Sequence, residues 1–79
     1  MKPNKAVALK TSKLLDNNNM SKYKLVSKSG ITKSALRYMF NEVNQDVHLS
    51  TIIKICKAFN VELKDFFNEE YFKIDNFDV

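Results

Sequence analysis

A single glycine in 79 residues leaves a chain few ways to turn sharply, and here Gly30 divides two short apolar patterns lying between Ser21 and Asn41. Before it, Ser21 is placed to cap a helix whose apolar residues are Leu25 and Val26. After it, Thr32 is placed to cap a second helix, in which Leu36, Met39 and Phe40 recur at spacings of three and four. The two starts are built alike. Met20 precedes Ser21 and Leu25 is the fourth helical residue; Ile31 precedes Thr32 and Leu36 is the fourth, so a hydrophobic staple is expected at both. Gly30 suits the left-handed residue that ends one helix before an abrupt turn into the next. The stretch reads as two helices around a tight turn, a helix-turn-helix.

A chain this short holds one domain and buries only about 60% of its unfolded surface. Its 44% hydrophobic and 28% charged residues describe a folded, soluble domain. One glycine and one proline favour short helices over hairpins. No apolar run approaches the ~18 residues of a membrane span, and the start MKPNKAVALK has no signal-peptide core. A lone cysteine fits a reducing cytoplasm, so a cytoplasmic location is expected.

Charge is divided unevenly. Residues 1–40 carry nine cations against Asp16 alone, a net +8, while residues 41–79 carry four lysines against eight acids, a net −4. The basic half contains the helix-turn-helix, the arrangement phosphate binding wants, because each lysine that neutralises a phosphate releases a condensed counterion. A lysine-rich, solvated helix surface would give the same count, so charge alone leaves both readings open.

Along the chain, Asn4 to Asp16 reads as a first helix with Val7, Thr11, Leu14 and Leu15 on its apolar face. Lys10 and Lys13 are expected to point to solvent. Asn17-Asn18-Asn19 is a polar break suited to left-handed and turn geometry. The second helix is expected over Lys22 to Ser29 and the third over Lys33 to Phe40. Residues 41–48 read as a loop. Ser50 is then placed to cap a fourth helix, Thr51 to Phe59, with Asn60 as a left-handed stop, and a short fifth helix is expected over Leu63 to Asn68. Division into a domain of residues 1–68 and an acidic, aromatic extension of residues 69–79 follows.

The run SKYKLVSKSGITKSALRYMFN, followed by LSTIIKICKAFNVELKDFF, resembles the phage-repressor and Cro-type (XRE) helix-turn-helix family over Leu14 to Phe67. Leu25, Gly30-Ile31, Leu36 and Phe59-Asn60-Val61 carry the resemblance. Three positions depart from it: Val26 and Cys56 stand where alanine is usual, and Asn41-Glu42 replaces Asn-Gly. The resemblance implies an all-α, lambda-repressor-like bundle of about five short helices that binds double-stranded DNA sequence-specifically. A transcriptional regulator, specifically a repressor, is the role that follows.

In that architecture the third helix lies in the major groove. With Ile31, Leu36 and Met39 turned inward, its outward residues are Lys33, Ser34, Arg37 and Tyr38, the candidates for base contact. Arg37, the chain's only arginine, can bond O6 and N7 of guanine through two parallel donors. Lys33 reads a base or holds a phosphate; Ser34 bonds a base edge or the backbone; Tyr38 packs on a thymine methyl or donates to a phosphate. Ser21, Lys22 and Thr32 at helix N-termini, and Asn41, Asn44 and Gln45 in the loop, are the candidates for phosphate contact.

Catalysis is not expected. His48 and Cys56 are the only histidine and cysteine, too few for a four-ligand zinc site, and one glycine makes no phosphate-cradling loop. Glu69 and Glu70 fall in an acidic stretch with no cleft in prospect. No metal and no cofactor is anticipated. Phe66, Phe67, Tyr71, Phe72, Ile74 and Phe77 supply more apolar surface than a small bundle needs. Either Phe66 and Phe72 close the core, or the tail aromatics form a self-complementary homodimer patch, as the family's use of two half-sites suggests. The alternative function is an antitoxin or anti-repressor module that binds a protein partner through the C-terminal tail. RNA is a weaker third option, for want of an aromatic β-platform.

Overall fold

Both helices of the central turn begin at a side-chain cap, at Ser21 and at Thr32. The computed structural model describes residues 1–41 and 46–79, and in these the chain forms α1 (Pro3–Asn17), α2 (Lys22–Ser29), α3 (Lys33–Phe40), α4 (Leu49–Phe59) and α5 (Leu63–Phe66). Two 3₁₀ turns follow, Glu70–Phe72 and Ile74–Asn76. The expected all-α bundle of five helices is present. None of the helices among the described residues is long and apolar enough to cross a membrane.

The two expected caps are in place. Ser21 Oγ accepts from the Lys24 amide at 3.1 Å, and Thr32 Oγ1 accepts from the Ala35 amide at 3.0 Å. Each satisfies an otherwise orphan donor, worth about 1 kcal/mol. Gly30 closes α2 at φ 79°, with its amide donating to the Val26 carbonyl. α1 and α4 share a different ending. Asn19 and Asn60 both have positive φ; the amides of Met20 and Val61 then reach back to the carbonyls of Leu15 and Cys56, the six-residue closure of a Schellman motif.

A side chain at Gly30 would meet no atom within 4 Å, so only its backbone resists substitution. Gly30→Ala is therefore expected to cost about 1–2 kcal/mol through the left-handed conformation alone. Gly30→Asn should cost less, because asparagine tolerates that conformation. Thermal unfolding of the two variants side by side checks the order.

The expected start of α4 needs correction. The helix begins two residues earlier than a Ser50 cap would allow, at Leu49, with His48 at the cap position and no side-chain cap. The amides of Thr51 and Ile52 already donate to the His48 carbonyl, so Ser50 lies inside the first turn. α5 is also shorter than expected, ending at Phe66 rather than Asn68.

The core is assembled from all five helices. α1 packs on α3 and α4, α2 on α4, and α4 on α5. Leu25, Ile55 and Phe66 are fully enclosed. Val26, at the position where alanine is usual, is accommodated at half-burial against this core. Cys56 is buried, and burial pushes its thiol above the ordinary range, so it stays protonated and inert.

Lys10 and Lys13 do not both point to solvent. Lys10 is only 8% exposed, and its ammonium donates to Glu69 Oε2 at 2.5 Å. Lys13 donates to both Glu69 oxygens, at 2.9 and 3.1 Å. Glu69 is thus a clamp joining residues 69–79 to α1. The rings of the tail complete the attachment. Phe72 lies 5.9 Å from Phe66, 5.0 Å from Phe67 and 6.4 Å from Phe77 between centroids, so most of the aromatic surplus is packed within the chain.

Hydrogen bonds from Lys10 first, and then Lys13, hold the Glu69 carboxyl below its ordinary range. A carboxylate with a lowered folded value stabilises the fold above its unfolded value, about 4.3, and that contribution is lost as pH falls through the folded one. Acidification is expected to loosen the tail by this route. The ring resonances of Tyr71, followed by NMR against pH, should show the transition, and Glu69→Gln should remove it.

Candidate nucleic-acid interface

The four residues expected to face outward on α3 do so. Lys33, Ser34, Arg37 and Tyr38 are exposed, while Ile31, Leu36 and Met39 are buried. The helix does not present them as one row. Lys33 and Arg37, four apart, line a concavity of ≈ 470 Å³ shared with α2, where Lys22 is the third cation. Ser34 and Tyr38, also four apart, line a second concavity of ≈ 530 Å³ shared with the start of α4, where Asp46, His48 and Thr51 contribute. α3 therefore stands as a ridge with a basic flank and a mixed polar flank.

Electrostatics separate the two sides further. Among the described residues no carboxylate lines the α2 concavity, whereas Asp46 lines the other. Lys22, Lys24, Lys28, Lys33 and Arg37 make no ion pair among the described residues, while Lys10 and Lys13 are committed to Glu69. Five cations on α2 and α3 are thereby available to an anion, whereas Lys10 and Lys13 of α1 are withdrawn from it.

Among the expected phosphate contacts, Ser21 and Thr32 are exposed caps and Lys22 is exposed at the first position of α2. Asn41 ends α3 in extended geometry, and its carbonyl accepts from Asn4 Nδ2 of α1 at 2.9 Å, which ties the exit of the helix to the core. Asn44 and Gln45, and Glu42 beside them, lie outside the described residues.

Two aromatics in the basic concavity were missed by sequence reasoning. Tyr23 is 74% exposed, and Phe40 is half-buried with the Lys22 ammonium 3.9 Å from its ring centroid. The run Lys22-Tyr23-Lys24, an aromatic between two cations, was the available signal for Tyr23. For Phe40 the helical spacing pointed inward, and only the fold shows that one face of its ring is presented to Lys22.

No match was found among curated protein sequences. Among solved structures, the chain is similar to "prophage Lp1 protein 11", a crystal structure, at a TM-score of 0.85 and 22% identity, covering 92% of this chain and 97% of that one. At such identity the likeness speaks to the fold. The sequence profile of the Cro/C1-type HTH DNA-binding domain matches residues 10–70, from the middle of α1 to the first tail turn. The ridge of α3, the glycine turn and the capped helices are thus those of a known DNA-binding architecture, and the chain belongs to the Cro/C1-type helix-turn-helix DNA-binding family.

Proposed function

We propose that the chain is a sequence-specific, double-stranded DNA-binding transcriptional regulator of the cytoplasm, a repressor, which reads the major groove with α3 and acts by occupying promoter sequence. The observation that carries this reading is the basic flank of α3, where Lys22, Lys33 and Arg37 lie around one concavity with no ion pair of their own and no carboxylate among the described residues. Phosphate contacts on that flank would fix the register of the helix, and Lys33, Ser34, Arg37 and Tyr38 would meet base edges. Residues 1–68 serve as the DNA-binding domain. Residues 69–79 are an extension whose exposed Ile74 and Val79 are available to a second copy, so that a homodimer spans two half-sites about one helical turn apart.

Selection of bound sequences from a random duplex library tests this directly. Enrichment of a common sequence is expected, and paired half-sites at a fixed spacing would report the dimer. A protein that enriches nothing and shifts no duplex at low salt, yet recovers a stoichiometric protein partner, would instead be a protein-interaction module on the same fold.

A further inference from the structure

We propose that Phe40 is a positioning residue for DNA-backbone binding: its ring holds the Lys22 ammonium where it meets a phosphate on the basic flank of α3. This rests on the DNA-binding reading above and adds a residue that need not touch DNA itself. Lys22 Nζ lies 3.9 Å from the Phe40 ring centroid, well inside the ~6 Å over which the electron-rich face of a ring attracts a cation. Phe40 is the last residue of α3 and packs against the hydrophobic core, so its ring is a fixed surface rather than a second mobile group. Lys22 makes no ion pair among the described residues. The ring is what holds its ammonium.

An ammonium resting on a ring uses one side only, and its remaining N–H donors stay available to an anion. A lysine that must be ordered on binding loses rotamer freedom, which weakens association by about threefold or more. Phe40 removes part of that loss before DNA arrives, in a concavity that already gathers Lys33 and Arg37 with no competing carboxylate among the described residues. Leucine keeps an apolar side chain against the core beneath. Only a ring offers the lysine a face.

The test compares the full chain with Phe40→Leu, Lys22→Gln, the double variant and Phe40→Tyr. Each is titrated with a short random-sequence duplex at several salt concentrations, at a temperature where all are folded. Phe40→Leu is expected to weaken binding about threefold without changing the salt slope. Lys22→Gln should weaken binding and reduce the slope by about 0.9, the loss of one phosphate contact. The double variant should bind as Lys22→Gln alone does, and Phe40→Tyr, which keeps the ring, should bind like the original. In the free protein the Lys22 ε-methylene protons should be shifted upfield by the ring and return to ordinary values in Phe40→Leu. A Phe40→Leu loss of equal size with and without Lys22, or no loss at all, overturns the positioning role while leaving DNA binding intact. Absence of any salt-dependent duplex binding by the original chain overturns the DNA reading and this proposal together.

Discussion

Replacing Phe66 by alanine is expected to destabilise the protein by about 3–5 kcal/mol, the cost of emptying a fully buried aromatic site. Phe66 is 0% exposed and sits where α5 meets the core, with the rings of Phe67 and Phe72 at 5.4 and 5.9 Å between centroids. A domain of this size is held by only about 4–12 kcal/mol, so the variant should be largely unfolded near its former working temperature. The neighbouring Phe67 supplies the control. It is 37% exposed, and its truncation should cost far less, although the residue type and the helix end are shared. Urea unfolding of the two variants, followed by far-UV circular dichroism, measures the difference. Equal losses would mean that Phe66 does not occupy the centre of the fold. Because Phe72 packs on Phe66, partial unfolding should begin in the tail: protection of the amides of residues 69–79 against hydrogen exchange should fall first.

Local chemistry explains why so much of this architecture was legible from the residues. The caps at Ser21 and Thr32 and the left-handed Gly30 and Asn60 depend on partners within five positions, and all of them are where the sequence places them. The outward residues of α3 followed by subtraction, once Leu36 and Met39 were turned inward. What was not legible depends on distant partners. Lys10 lies three residues after Val7 and four before Leu14, on the buried face, yet a lysine there is tolerable only because Glu69, 59 residues away, receives it. Residues 69–79 have no helical period because rings and the Glu69 clamp hold them. Leu49 is 57% exposed, so periodicity gave no reason to start α4 before Ser50. The same limit applies at the site. Spacing named the four residues of α3, but only packing shows that they divide between a flank shared with Lys22 and one that includes Asp46.

Replacing Arg37 by alanine is expected to cost about 1–3 kcal/mol of binding to the selected sequence, and to relax preference at one base pair, if its guanidinium reads guanine. Its position supports the expectation. Arg37 is exposed on α3, makes no ion pair among the described residues and shares its concavity with Lys22 and Lys33. The alternative, that it only neutralises a phosphate, makes a different prediction: equal losses on selected and random duplexes, with a salt slope reduced by about 0.9. Arg37→Lys separates the two outcomes. Lysine keeps the charge but lacks the planar fork, so a phosphate contact would survive the change nearly intact, whereas a paired contact to guanine would not. Binding of all three proteins to the selected duplex, to its variant at the affected base pair and to random duplex, each across a range of salt, assigns the role. A loss confined to the selected duplex and shared by both substitutions identifies base reading. It would also turn the flank of α3 that carries Arg37 and Lys33 towards the base edges, because the two residues line the same concavity.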